Sequence, residues 1–422
     1  MKKLLIISPY FAPSNAPDTQ RIRMSLPYFR TFDWEVEIVA CHPKYYETNT
    51  DELLLESIPN DIKVHYVNAL DKSYTSKLGL GSLALRSLWF YKKKVNQILK
   101  QKKFDLIYFS TTQFPVCVLG NYWKKKFEIP FVIDLQDPWH TEYYQSKPKN
   151  ERPPKYWFSY RLNKYLERIA FKKIDGIIAV TQQYIDQIFI RYTHLNNIPN
   201  SEITFSHSEI DYHLSQKLPL PLLPKNKPIL SYMGVLGPMM KNSLVSFFET
   251  VAQIPNFQED YLVYLKGTSY VGGTNLKQIG LEIAKSYGLN NIQEDPLRVS
   301  MLEVLNTLST VNGLIIFGTD EPNYTASKIY PYVQSRKPIL AILHQNSSAF
   351  KILNEITNAT VIPINATKEI ILKKILIFLQ QVRSNEKLIV NEEEFEKFSA
   401  KYMTKKQTEL FQQVLNKNDW KN

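Results

Sequence analysis

Short apolar runs rich in valine and isoleucine alternate with longer stretches of helical spacing along most of the chain. The pattern predicts strands at Leu4–Ser8, Val36–Ala40, Lys63–Val67, Asp105–Phe109, Phe131–Asp134, Gly176–Val180 and Ile203–Ser206. Between them the apolar positions fall three to seven apart, as in Leu85, Leu88, Val95 and Leu99, which is helical spacing. Strand–helix alternation of this kind implies an α/β fold with a mostly parallel sheet covered on both faces. The stretch from Lys217 to Pro228 holds Pro219, Pro221, Pro224 and Pro228 and interrupts the pattern like a linker. The alternation then restarts, with strands predicted at Ile229–Met233, Tyr261–Lys266, Gly313–Phe317, Pro338–Leu343 and Thr360–Pro363. From Thr367 onward the spacing is helical. The organisation expected is a Rossmann-like domain over 1–215, a linker over 216–228, a second Rossmann-like domain over 229–385, and C-terminal helices over 386–422 that could pack back on the first domain. Two such domains would face one another across a cleft, and ligands of open α/β sheets bind beyond the strand C-termini.

Composition narrows the class. The chain has 422 residues, 44% hydrophobic and 22% charged, an ordinary globular balance that needs no disulfide staples. Its two cysteines, Cys41 and Cys117, form no metal-ligand spacing, so neither structural zinc nor a disulfide framework is expected, and a reducing, cytoplasmic setting is. The opening Met1-Lys2-Lys3-Leu4-Leu5-Ile6-Ile7-Ser8-Pro9 is too short in apolar residues for a signal peptide and reads as a first strand. No stretch approaches the 18 or so apolar residues of a membrane span.

Charge changes the picture more. Lys and Arg number 52 against 40 Asp and Glu, and the excess is local: Lys77, Arg86, Lys92, Lys93, Lys94, Lys100, Lys102 and Lys103 face no acid before Phe104. A second basic stretch, 147–173, holds only Glu151 and Glu167 as acids. Such surpluses favour a polyanionic neighbour. The aromatic triplet Trp89, Phe90 and Tyr91 inside the first stretch suits an anionic membrane surface, contacted through residues 77–104. A helix that merely covers the sheet is the other reading. No recognition motif for nucleic acid accompanies the charge.

Four segments carry candidate chemistry. The loop after the first strand, with Tyr10 and Asn15, lacks the dinucleotide fingerprint GxGxxG; Arg21 and Arg23 follow it on a predicted helix, suited to a phosphate or to a solvated helix start. Asp134, Asp137, Trp139 and His140 cluster after a strand, where carboxylates could hold sugar hydroxyls and an indole could stack on a sugar, or where a turn could be capped and a core filled. Gly234 and Gly237 follow another strand and allow close backbone approach, with Lys241 opening the next helix. Glu321, Tyr324, Thr325, Ser327 and Lys328 then lie in a strand–loop–helix segment that could cradle a diphosphate or simply cap a helix.

Taken in order, several motifs resemble those of GT-B glycosyltransferases, in particular the family 4 type. The carriers are Ile7-Ser8-Pro9-Tyr10-Phe11-Ala12-Pro13; Leu166-Glu167-Arg168 running to Asp175-Gly176-Ile177-Ile178-Ala179-Val180-Thr181; Tyr232-Met233-Gly234 with Lys241; and Ser327-Lys328-Ile329-Tyr330-Pro331-Tyr332 followed by Arg336-Lys337-Pro338-Ile339-Leu340-Ala341. The resemblance spans residues 1 to about 385. It implies a GT-B architecture and a retaining transfer of sugar from a nucleotide-diphosphate sugar to a glycan or lipid-linked acceptor, in surface polysaccharide or glycolipid synthesis. It places donor binding on Gly234, Gly237, Lys241, Lys266, Glu321, Tyr324, Thr325, Ser327 and Lys328. Tyr10, Asn15, Arg21, Arg23 and Trp139 then fall on the acceptor or phosphate side, and Asp134, Asp137 and His140 become the catalytic candidates. No metal or other cofactor is expected, since lysines and helix N-termini can meet the charge growing on a leaving diphosphate. The chain departs from the family pattern where a glutamate is replaced by Pro331 and an arginine by Val235. A catalytically degenerate nucleotide-sugar binder, or a binder of a partner transferase, is therefore one alternative; a nucleotide-sugar epimerase or hydrolase of the same fold is another.

Overall fold

The computed structural model describes residues 1–145, 147–153, 155–224, 226–269, 276–322 and 327–419. The chain forms two compact units, one from Met1–Phe205 together with the segment from Ala400 onward, the other from Ser206–Ser399.

The first unit is built on seven parallel strands: β1 (Lys2–Ile7), β2 (Trp34–Cys41), β3 (Lys63–Val67), β4 (Leu106–Ser110), β5 (Phe131–Leu135), β6 (Gly176–Ala179) and β7 (Asn200–Glu202). Their order is β3-β2-β1-β4-β5-β6-β7. Leu4 to Ile7, Leu106 to Phe109 and Phe131 to Ile133 have no exposed surface, as expected of parallel strands covered on both faces. Helix Leu83–Gln101 is one of the covering elements. It turns Leu83, Ala84, Tyr91, Val95, Ile98 and Leu99 into the core, with Leu88 and Phe90 packed against it. Of the aromatic triplet expected at a membrane, only Trp89 points outward, at 63% exposure. Arg86 is likewise withdrawn: it is buried and bonded to the carbonyls of Gly81 and Leu70 and to the Glu47 carboxylate at 2.5 Å.

The second unit carries six parallel strands, β8 (Ile229–Met233), β9 (Leu262–Lys266), β10 (Ile292–Asp295), β11 (Gly313–Phe317), β12 (Ile339–Leu343) and β13 (Thr360–Pro363). Their order is β10-β9-β8-β11-β12-β13. In both sheets the direction of strand addition reverses beside the first strand, between β1 and β4 and between β8 and β11. That reversal opens a crevice at the strand C-termini, the usual ligand position of such sheets.

The boundaries differ from those expected. The proline-rich stretch does not separate the units, because Asn306 Nδ2 donates to the carbonyls of Leu218 and Pro219 and binds the stretch into the second unit. The crossing lies at 205/206, and the return at 399/400. Residues 386–399 stay with the second unit, where Phe395 stacks on His207 at 4.2 Å. Helix Ala400–Asp419 returns to the first sheet: Phe411 meets Trp34 and Tyr108 edge-on at 5.5 and 5.0 Å, and Gln407 Nε2 donates to Ser25 Oγ. Among the described residues no helix is long and apolar enough to cross a membrane.

Candidate functional site

In the first unit the crevice between β1 and β4 is lined by loops whose polar groups bind one another. Asp18, just ahead of helix Thr19–Ser25, is 1% exposed. Its Oδ2 accepts hydrogen bonds from Thr111 Oγ1 at 3.0 Å, Thr112 N at 2.8 Å and Thr112 Oγ1 at 3.0 Å. Its Oδ1 is buried with no partner. Burial raises the carboxyl's pKa although the Thr112 and Thr111 bonds oppose this. Asp137, after β5, keeps solvent contact, yet burial of its carboxyl and then the negative charge of Asp18 raise its pKa too. Asp137, the solvent-facing member of the two and in the field of the Asp18 charge, is equipped to hold a hydroxyl or accept a proton.

The neighbouring candidates take structural parts. Asp134 is fully buried and ion-paired with Arg21 Nε at 2.9 Å, and it accepts from Ser110 Oγ and Gln136 Nε2 at 2.9 Å each. Arg21 spends its remaining donors on the carbonyls of Ile203 and Thr204. The pair therefore ties the first helix to β5 and to the chain beyond β7, with no surface left for a phosphate or a sugar. Arg23 is 1% exposed and bonded to Ser57 Oγ and Gln20 Oε1. Trp139 stacks on Phe114 at 5.4 Å and donates to Asn163 Oδ1, as a core residue does. His140 Nδ1 lies 2.9 Å from Oε2 of Glu167, which is fully buried and also meets Arg191 and Tyr192. The imidazole is held by that buried carboxylate, which explains its place without catalysis. Tyr10 belongs to the core beside Tyr46, and burial lifts its phenol to about 12. Asn15 stays partly exposed, its backbone N–H on Asn49.

In the second unit the crevice between β8 and β11 gathers the donor-side candidates. Lys328 Nζ donates to Tyr232 OH and lies 4.1 Å from the centre of that ring. Tyr232 OH in turn donates to the carbonyl of Val235 at 2.7 Å. Among the described residues no carboxylate pairs with Lys328. The residue keeps some exposed surface, but burial of its ammonium pushes the pKa down to about 7. Gly234 lies directly beneath. It has φ +136°, and a Cβ there would stand 3.1 Å from Lys328 Nζ, so glycine serves both the backbone turn and the lysine's room. Tyr332 fixes the end of β8 by accepting from Met233 N at 2.8 Å.

The surrounding loops are laced together. Ser243 Oγ donates to the carbonyl of Gly318 and Asn242 Nδ2 to Asp320 Oδ2, both at 2.8 Å. Gly237 borders open space, and Lys241 is exposed at the start of helix Lys241–Val251. Glu321 is exposed in a turn closed by the Thr319 hydroxyl, and Ser327 is exposed beside Lys328. Lys266 is not a free cation: it is ion-paired with Asp295, joining β9 to β10. Tyr324 and Thr325 lie outside the described residues. Among the described residues no group of His, Cys, Asp and Glu could hold a metal ion. In the first unit a cavity of about 390 Å³ opens at the N-terminal ends of β2 and β3, away from the strand C-termini.

Asp18 and Tyr232 were the residues that sequence reasoning missed. Asp18 had one available signal, its place between the loop of the first strand and the first helix. Nothing in its sequence neighbourhood marks Tyr232 as the seat of a lysine 96 positions away.

No family model matches this sequence, and no curated protein does. Solved structures do match along nearly the whole chain. The N-terminal domain of Candida albicans trehalose-6-phosphate phosphatase has TM-score 0.63 at 13% identity, covering 98% of this chain and 97% of that one. A glycosyltransferase from Rickettsia africae has TM-score 0.60 at 15% identity, covering 98% of both chains. The lipopolysaccharide outer core galactosyltransferase WaaB, in its apo form, has TM-score 0.54 at 14% identity, covering 97% and 98%. At such identities the likeness is one of fold: two α/β units, each on a parallel sheet, of the GT-B fold class.

Proposed function

We propose that the protein is a glycosyltransferase that moves a sugar from a nucleotide-diphosphate sugar to a glycan or glycolipid acceptor, with retention, in surface polysaccharide or glycolipid synthesis. The observation that carries the reading is Lys328, an ammonium held on a tyrosine over a glycine at the β8/β11 crevice, with no carboxylate among the described residues to answer it. A buried cation in this state is stabilised by an arriving dianion. Lys328, with Lys241 and the N-terminus of helix Lys241–Val251, would meet the charge developing on the leaving diphosphate. In the first unit Asp137 would hold or deprotonate the acceptor hydroxyl, with the buried Asp18 charge raising its basicity. The solved glycosyltransferase structures of like fold support the reading. Calorimetric titration with a panel of nucleoside diphosphates and nucleotide sugars, followed by assay of the binders for transfer, tests it. If no member of the panel binds, the proposal fails. Binding without turnover would favour the degenerate binder, the reading that Pro331 supports by removing the expected carboxylate from helix Ile329–Gln334.

Binding of a diphosphate favours charged Lys328 and raises its pKa from about 7, so a proton is taken up from neutral or mildly alkaline solution. Affinity should fall as pH rises above 7, and the binding heat should vary with the ionisation enthalpy of the buffer. Buffer-independent heats and flat affinity between about pH 6.5 and 8.5 would remove Lys328 from the phosphates. On the acceptor side, Asp137→Asn should lower kcat/KM by roughly tenfold or more, the worth of a charged hydrogen bond, with nucleotide affinity unchanged. Full activity in that variant would leave Asp137 a surface turn residue.

A further inference from the structure

Three helices lie side by side on one face of the first sheet: Leu83–Gln101, Leu119–Phe127 and Tyr156–Ala170. The first two are joined where Asn96 bonds Tyr122 OH and the Trp123 indole, and the last two where Asn121 Nδ2 donates to the carbonyls of Ile169 and Ala170. Together they contain a single acidic residue, Glu167, and it is fully buried among His140, Arg191 and Tyr192. The outward sides of the three helices themselves therefore carry no acid; the exposed acids beside them are Glu142, which accepts from Tyr160 OH, and Glu128 at the end of the second helix. Lys92 and Lys93 project from the first helix, Lys125 and Lys126 from the second, and Arg161 and Lys164 from the third.

Aromatic rings stand among these charges. Trp89 and Trp157 are 63% and 65% exposed, and Tyr165 is 64% exposed. Lys93 lies over Trp89 at 5.3 Å, Arg161 over Trp157 at 5.4 Å, and both Lys92 and Lys126 over Tyr122. The apolar stripes of the helices are already committed to the sheet, so the layer is a fixed surface. Helix Gln182–Arg191, next along the same face, brings back an exposed acid, Asp186, and bounds it.

We propose that this three-helix face binds the surface of an anionic lipid bilayer. Helices of 19, 9 and 15 residues at about 1.5 Å per residue, in a row about 10 Å apart, give a face roughly 30 Å wide and about 14 to 28 Å long. Amines spread over such an area match a plane of lipid headgroups, and indoles on its surface suit the headgroup level. A nucleic acid would call for the cations to follow one groove, and here they are distributed over three elements. Each basic residue near a charged leaflet multiplies binding by roughly five. The inference stands on the composition of this face and does not depend on the transferase reading.

The test is co-sedimentation of the full chain with vesicles of phosphatidylcholine containing about one third phosphatidylserine, against pure phosphatidylcholine, at about 50 and 500 mM salt. Wild type should bind only the anionic vesicles and release them at high salt. Lys125→Glu/Lys126→Glu and Arg161→Glu/Lys164→Glu should each weaken binding by at least roughly tenfold, with unchanged thermal unfolding and nucleotide affinity. Tryptophan emission should shift to shorter wavelength on vesicle binding, and less so in Trp157→Phe. Failure of wild type to bind at low salt overturns the proposal, as does full binding by both charge-reversed variants. Equal or tighter binding to a duplex oligonucleotide would assign the face to nucleic acid instead.

Discussion

Asp134→Asn is expected to cost the protein about 3–5 kcal/mol of stability, because it strands the Arg21 guanidinium without its counter-charge. The side chains of Arg21 and Asp134 are 2% and 0% exposed, so water cannot replace the lost partner. Burial alone would raise the Asp134 pKa, and the Arg21 charge is the first thing that opposes it. For a unit of about 200 residues the loss corresponds to a fall in Tm of roughly 6–20 °C. The double variant Arg21→Met/Asp134→Leu removes both charges and should recover most of the loss, since two apolar side chains suit the site better than one unpaired ion. Thermal unfolding of the single and double variants separates this from a catalytic role. If Asp134→Asn melts with the wild type and loses only turnover, the carboxylate acts on substrate after all.

The same pair shows why part of the site was illegible in the sequence. Arg21 and Asp134 each looked like a functional residue when read in its own segment, one at a helix start and the other after a strand. Folding brings them together and cancels them, and no local pattern carries that information. The strands were easier. Leu4 to Ile7 and Leu314 to Phe317 are wholly buried, and a strand covered on both faces must be a continuous apolar run. The edge strand β10 (Ile292–Asp295) escaped because only Ile292 supplies an apolar side chain; Glu294 is buried there to bond Thr268 Oγ1 and Leu281 N. In the first sheet the edge strand β7 (Asn200–Glu202) is polar throughout and lies a few residues before the stretch where the pattern predicts it. The proline stretch misled for a related reason, since a segment with few backbone donors can still be anchored through its carbonyls, as Leu218 and Pro219 are. By contrast, the glycine at 234 and the lysine at 328 were legible from position alone, one after a strand and one at a helix start. The phenol between them was not.

Lys328→Met is expected to weaken nucleotide-sugar binding by about 1.5–3 kcal/mol, the worth of a hydrogen bond to a charged group, or roughly 10- to 150-fold in Kd. The same substitution should stabilise the unliganded protein. Its sign follows from the direction of the pKa change. The folded-state value of about 7 lies below the ordinary lysine value of 10.5, so the unfolded chain binds more protons between those limits and the charged lysine opposes folding at neutral pH. The methionine side chain can lie along the Tyr232 ring without that penalty, in the space that Gly234 leaves open. The Tm advantage of Lys328→Met over wild type should be largest at pH 7 and below, and should shrink as pH rises towards 10. Raising the nucleotide sugar concentration should reverse the order, because only wild type gains from the ligand. A lysine kept solely to support the fold would give the opposite pattern: a lower Tm in the variant at every pH, and a nucleotide affinity that does not change.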